Sequence, residues 1–469
     1  MTSPLQPVSA TAPHFSGSTP LGNKSAGYST GKKAVWLILA LSLALSLGYS
    51  FYHRIEPTVD ARAYDQIARN ILKGEGFREH TNIPLVYDPS IIRAGPLYEY
   101  FLASVYAVFG HHFEVVWIIQ ALLHASTAAL LYFICVRMFV GSEKKKTIGL
   151  WAMTLFAFHP DLIEIAAMLM TETVYLFLVV SVLALFVLVF ERPEKSFLAL
   201  SLGLATGLAV LSRPPILFFV PVILFLYLVR KHFWQAVVFT VVFIAVLTPW
   251  SLRNYSVYTQ FIPTTLIGEY NIWVGNTLLS SGGQIAGGPN PAFDYAQKQG
   301  YLGFKDEARK EFRAFIAEHP LVFAKLSMFR FVRYLSLIRP MGFWFYQSGT
   351  GQLLFVVCSL VSIAALFLFG FSGLWQAFKK KTLLFRYLLV FAALAPLPLL
   401  AATVESRYRF QLYPLLAIFA GYFLAQDEVT KSVRIKIFLA VCAVLSLISL
   451  IDLYSFWPTV VSHLNILLF

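Results

Sequence analysis

Residues 34–52 read AVWLILALSLALSLGYSFY, and residues 56–100 read EPTVDARAYDQIARNILKGEGFREHTNIPLVYDPSIIRAGPLYEY. The first segment is long enough to cross roughly 30 Å of hydrocarbon as a helix. The second is the first large polar island, dense in carboxylates, arginines, tyrosines and glycines. A span that runs at once into such an island implies an apolar helical frame with polar chemistry at its face. Lys32 and Lys33 precede the span, and its bulky GYSFYHR ending lacks the small-x-small pattern of a cleaved signal. A retained span with a cytoplasmic N-terminus is expected.

The rest of the chain repeats the pattern. It has 469 residues, 58% hydrophobic and 13% charged, with mean hydropathy +0.68. Soluble domains carry about 25% charge. Apolar runs of about 18–22 residues recur, and the short alternating segments of a membrane β-barrel are absent. The fold class is therefore an all-α polytopic membrane protein. The net charge is +13, but no basic face on a folded module supports nucleic-acid binding. Cys135, Cys358 and Cys442 lie far apart in apolar runs, and form neither a disulfide framework nor a metal spacing.

Lys and Arg clusters set the topology. Lys32–Lys33, Lys144–Lys146, Arg192 with Lys195, Arg230–Lys231, Lys379–Lys381, and Lys431 with Arg434 and Lys436 flank apolar runs. Placing all of them on the cytoplasmic side predicts about eleven spans, near 33–52, 114–138, 147–163, 172–190, 196–212, 215–229, 234–250, 351–375, 384–402, 408–425 and 436–455. Residues 97–110 are too short for a span and read as a membrane-surface helix. The outer segments are then 53–113, 159–172, 250–350 and 403–408. The third contains the glycine-rich loop 280–291 and an amphipathic stretch, 302–335, of the kind that lies on a membrane surface. Three regions are expected: a disordered tail at 1–31, a catalytic membrane module at 32–425, and a last span with an outer tail at 426–469.

Chemistry-bearing residues collect on that outer face. Asp60 and Tyr64 stand four apart, with Glu56 before and Ala68 after, so they share one side of a helix. A solvated helix whose acids serve only solubility has equal weight. Glu172 opens an apolar span; an acid there marks function by default, although the helix N-terminus also favours one. Asp161 and Glu164 compete for its role. Arg213, Arg253, Arg407 and Arg409 sit at outer span ends, against the usual charge bias, and suit a phosphate. Arg407 could equally pair with Glu405. There is no HExxH, Cys/His cluster, GxSxG or Walker loop.

Taken in order, these residues resemble the family 39 glycosyltransferases, which include the protein O-mannosyltransferases, and their relatives the lipid A aminoarabinose transferases. The resemblance rests on Asp60…Tyr64…Ala68, Gly74-Glu75-Gly76-Phe77, Gly95-Pro96-Leu97-Tyr98, Thr171-Glu172, Arg213-Pro214, Pro249 to Tyr255, Gly275-Asn276 and Arg407-Tyr408-Arg409. It implies a GT-C bundle with outer-face amphipathic helices and a large outer loop region. It also implies a polyprenyl-phosphate-linked sugar donor and inverting transfer to a protein, glycolipid or polysaccharide acceptor at the extracytoplasmic face of the plasma membrane. Asp60 takes the place of the catalytic base and Glu172 that of a second acid. Tyr64, Arg93, Tyr98, Arg213, Arg253, Asn276, Arg407, Tyr408 and Arg409 form the expected substrate-binding set. The chain departs from the common acidic dipeptide, because Ala61 follows Asp60, so Glu56 and Asp65 stay open as partner acids. Some GT-C enzymes use a divalent metal and others none; no metal cage is visible here and no cofactor is expected. Two other readings stand beside this one: a ligase or polymerase of lipid-linked glycans, and a secondary transporter, which would place polar sites mid-span on broken helices.

Overall fold

The computed structural model describes residues 24–283, 290–338, 349–379, 383–425, 430–455, 457 and 461. Most of the expected tail (1–23), six residues of the glycine-rich loop (284–289), Lys380, Lys381 and most of the outer C-terminal tail lie outside the described residues. The described chain is helical and contains no strand.

Helix α1 (Lys24–His53) starts within the expected tail, so residues 24–31 are helical. Its inward face carries Ser42, Ser46 and Ser50, all fully buried, while Trp36, Leu37, Leu41 and Leu45 are exposed. This polar-in, apolar-out arrangement suits a helix whose solvent is lipid. Between it and the next long helix lie α2 (Val59–Leu72) and α3 (Pro96–Phe109). The bundle continues through α4 (Phe113–Met138), α5 (Lys145–Ala157), α6 (Pro160–Ala167), α7 (Glu172–Glu191), α8 (Ser196–Ser212), α9 (Val220–Val229) and α10 (Phe233–Tyr258). The outer segment after it holds α11 (Ile267–Gly275), α12 (Pro291–Gln299), α13 (Phe304–Glu318) and α14 (Pro320–Leu335). Then follow α15 (Gly349–Lys379), α16 (Leu383–Leu394), α17 (Leu397–Ala401), α18 (Tyr413–Ala425) and α19 (Lys431–Ser455).

Among the described residues seven helical segments are long and apolar enough to span a membrane, and α5–α6 make an eighth if their 52° bend is one broken crossing. The other expected spans are helical but shorter. Residues 215–229 divide into a 3₁₀ turn, Pro214–Phe219, and α9. Residues 408–425 begin as a 3₁₀ segment, Ser406–Leu412, before α18. Proline explains two of the breaks, at Pro160 and Pro396.

Close packing uses small residues. Gly203 and Gly207 press α8 onto α10, where a Cβ would meet Phe239 O at 2.7 Å and Val246 Cβ at 2.8 Å. Gly421 lets α18 lie on α5, and α18 is buried nearly all round. The stretch 302–335 breaks at His319–Pro320 into α13 and α14, and α14 turns Arg330 and Arg333 inward while Leu321, Met328 and Phe331 are exposed. A helix with buried guanidiniums and an exposed apolar face is built to sit against lipid, with its cations serving the interior.

Candidate active site

The site begins in the loop after α1. Helix α2 starts at Val59, so Glu56 is exposed ahead of it and does not share the face of Asp60 and Tyr64. Tyr64 and Ala68 are buried on that face. Asp65 points elsewhere: it binds Tyr106 Oη (2.9 Å), His111 Nε2 (2.7 Å) and Arg69. Neither acid left open by the sequence therefore partners Asp60.

Past α2 the chain reverses at Gly74 and Gly76, whose φ of +79° and +80° lie in the left-handed region open to glycine. Asp88 organises the return. Its carboxylate accepts from the backbone N–H groups of Glu79 (2.9 Å), His80 (2.7 Å) and Ser90 (3.0 Å). Gly95 then lies so close to the end of α8 that a Cβ would sit 2.2 Å from Leu211 O. That contact sets Arg93 and Ala94 beside Arg213.

The result is a chain of ion pairs drawn from five parts of the sequence. Arg93 Nη1 donates to Asp60 Oδ1 (3.1 Å) and Arg93 Nη2 to Glu79 Oε2 (2.7 Å). Arg407 Nη2 donates to the other Asp60 oxygen (2.7 Å), and its Nε donates to Glu405 Oε2 (2.8 Å) and lies 3.7 Å from Glu172 Oε1. Glu172 accepts from Arg213 Nη1. Tyr408 covers both arginines, with Arg213 Cζ 5.3 Å and Arg407 Cζ 5.8 Å from its ring centroid. Burial works to raise the pKa of Asp60, but Arg407 and Arg93 outweigh it and hold the carboxyl below the usual carboxylate range.

Two cavities meet at this chain. The larger, about 370 Å³, is lined by Asp60, Tyr64, Arg93, Tyr270, Glu405, Arg407 and Tyr408, with Met168 and Met170 on one wall. The smaller, about 80 Å³, is mostly apolar and lined by Glu172, Tyr175, Leu176, Arg213, Pro214, Leu399 and Phe410. Arg213, Arg407 and Tyr408 belong to both. A narrow apolar space thus lies beside a polar one, with two guanidiniums lining both.

Residues 93–252 match the family model for dolichyl-phosphate-mannose-protein mannosyltransferase. No curated protein sequence is detectably similar to the chain. Among solved structures, ArnT from Cupriavidus metallidurans bound to undecaprenyl phosphate superposes with TM-score 0.50 and 16% identity, covering 90% of this chain and 64% of that one. AglB, the oligosaccharyltransferase of Archaeoglobus fulgidus in complex with an inhibitory peptide and a dolichol-phosphate, gives TM-score 0.52 and 15% identity, covering 93% and 56%. The fold is GT-C. The chain spans less than two thirds of the length of either structure.

Within this GT-C bundle the expected site residues separate. Asp60, Tyr64, Arg93, Glu172, Arg213, Arg407 and Tyr408 line the two cavities. Tyr98 stands behind Tyr64, its ring 5.6 Å away and its hydroxyl donating to Gln120 Oε1 (2.8 Å). Three others lie away from the cavity walls. Arg253 donates to Phe77 O (2.9 Å) and stacks 5.0 Å from the Trp250 centroid, holding the first loop to α10. Asn276 bonds Ile272 O and Ala401 O, and Arg409 bonds Ser336 O. Sequence reasoning missed the wall residue Tyr270 and also Glu79, which holds Arg93 from behind. Neither belongs to a motif, and only the fold of the loop shows that Glu79 shares Arg93 with Asp60. Asp161 and Glu164, the rivals of Glu172, are buried in α6; Asp161 accepts from Ser359 Oγ (2.5 Å).

A divalent metal fits these residues poorly. Among the described residues no group of three His, Cys, Asp or Glu side chains is placed to hold a metal. Asp60, Glu79, Glu172 and Glu405 each face a guanidinium instead.

Proposed function

We propose that the chain transfers a sugar from a polyprenyl-phosphate donor to an acceptor hydroxyl or phosphate, with inversion, at the extracytoplasmic face. The carrying observation is that Arg407 bonds Asp60 where a polar and an apolar cavity meet. The lipid enters from the apolar side, and its phosphate lies against Arg213 and Arg407. Two planar forks suit a phosphodiester and, better, the phosphomonoester that departs. The sugar and acceptor occupy the polar cavity. The acceptor oxygen attacks the anomeric carbon on the face opposite the phosphate. Its proton passes to Asp60, the new C–O bond forms, and the old bond to phosphate oxygen breaks. No nucleotide leaves, so no nucleotide-binding domain is needed.

Glu172 acts through others. It lies beneath Arg213 and Arg407 and fixes both guanidiniums toward the junction, which makes it a positioning residue. Arg407 has two roles. Unliganded, it keeps Asp60 ionised; as it turns to the donor phosphate, it weakens its hold and makes Asp60 a stronger base.

Activity of purified enzyme toward polyprenyl-phosphate sugars tests the proposal, and its pH profile tests the base. Asp60 is the active base when ionised, and its pKa lies below the ordinary carboxylate value. The rate should therefore hold through mildly acidic pH and fall only as pH drops through that lowered value. Arg93→Gln removes one of the three depressing charges, those of Arg407, Arg93 and Arg213, so the acidic limb should move to higher pH. A limb unmoved in Arg93→Gln would assign the titration to another group. Sidedness has its own test. A cysteine at Ser281, exposed just before residues 284–289, should react with an impermeant maleimide added outside sealed cells; reaction only after lysis would place this face in the cytoplasm.

A further inference from the structure

Arg330 is fully buried, and among the described residues no carboxylate pairs with it. Burial, with Arg333 nearby, pushes its pKa down to about 10, so it stays charged at neutral pH. Its charge is met by backbone carbonyls at two helix ends. Nη1 donates to Leu400 O (2.9 Å), in the last turn of α17. Nη2 donates to Gly275 O (2.5 Å), the last residue of α11, and to Asn276 Oδ1 (3.1 Å). The last carbonyls of a helix lack intrahelical partners and carry its partial negative charge. A guanidinium between two such ends satisfies both.

The surrounding contacts tighten the same joint. Asn276 Nδ2 donates to Ala401 O (2.8 Å), and Ser327 Oγ donates to Leu400 O (3.0 Å). Gly275 lies so close that a Cβ would sit 2.1 Å from Ala402 O. Val404 N donates to Gly282 O (3.3 Å). The chain leaving this joint is Thr403 to Arg407, which carries Glu405 and Arg407 into the cavity. A peptide of five residues hung from a fixed end has few ways to place its last side chain.

We propose that Arg330 is a positioning residue for Arg407: it clamps the ends of α11 and α17 and so sets where the Arg407 fork meets the donor phosphate and Asp60. This rests on the function proposed above. It also gives the Gly275-Asn276 pair a task, as part of the clamp.

The test compares Arg330→Gln, Arg330→Lys, Ser327→Ala and Arg407→Ala in the full-length purified protein, with undecaprenyl phosphate as the binding probe. Arg330→Gln should weaken binding by about tenfold, the size of one misplaced charge-assisted hydrogen bond. It should also move the acidic limb of the pH–rate profile upward. The charged and titratable groups around Asp60 are Arg407, Arg93 and Arg213 with Glu79, Glu99, Glu172, Glu405, Tyr64 and Tyr408; Glu405, Arg407 and Tyr408 follow the clamp, and of these Arg407 is the one that bonds Asp60. Arg330→Lys should recover part of both effects, and Ser327→Ala should show them weakly without threatening the fold. A clamp that only stabilises would lower melting temperature and active fraction and leave affinity and pH limb unchanged per active molecule. That result overturns the proposal. If Arg407→Ala binds undecaprenyl phosphate as tightly as wild type, the reading of the site fails first, and the role of Arg330 with it.

Discussion

Asp60→Asn should reduce turnover by about 10²–10⁴-fold, the contribution typical of a positioned general base, while undecaprenyl phosphate binding changes little. The amide matches the carboxylate in shape and can still accept one hydrogen bond from Arg93 or Arg407. It cannot take a proton from the acceptor. The site otherwise keeps its walls, because Arg93 retains Glu79, and Arg407 retains Glu405 and the nearby Glu172. Removing one negative charge beside two arginines should leave phosphate affinity equal or slightly higher, since the forks lose a competitor. Single-turnover assays separate the two quantities. A variant with near-normal rate would remove Asp60 from the base role; one that binds no lipid phosphate would make it structural.

Arg407→Ala should lose both binding and rate. A hydrogen bond to a charged group contributes about 1.5–3 kcal/mol, so donor affinity should fall roughly 10- to 150-fold. The rate should fall further, because the leaving phosphate gains charge as the sugar departs and Arg407 is placed to meet it. The deletion also leaves Asp60, Glu172 and Glu405 without the cation they share. Arg93 and Arg213 still cover two of these acids, so the fold should persist while the acidic limb of activity moves to higher pH. Arg407→Lys restores charge without the planar fork and should recover only part of the loss. Donor affinity unchanged in Arg407→Ala would place the phosphate elsewhere.

These predictions turn on residues that the sequence presented unevenly. Asp60 stood out by its spacing from Tyr64 and by the ordered motifs, and Glu172, Arg213 and Arg407 because each is a charge at the edge of an apolar run, where hydrocarbon makes charge costly. The same signal also raised Arg253 and Arg409. In sequence, an arginine that faces a cavity looks the same as one that caps a carbonyl. The structure separates them: Arg253 holds Phe77 O, Arg409 holds Ser336 O, and Arg407 reaches Asp60. Glu79 and Arg330 carried no signal, since each draws its meaning from a partner distant in sequence, Asp60 through Arg93 and the end of α17.

Hydropathy and charge placement, read from the sequence alone, determined that this is an all-helical, multi-pass membrane protein with a polar first loop. Those properties are local: an apolar run of sufficient length must be helical in lipid because its backbone has no other hydrogen-bond partners. The ordered motifs also pointed to GT-C. Only the tertiary structure decided which acid meets which arginine. Asp60 and Arg407 are 347 residues apart, and their pairing depends on the Gly95 contact with α8, the turn at Gly74 and Gly76, and the clamp on α17. Ion pairs are set by distance and burial, and neither exists until the helices have packed.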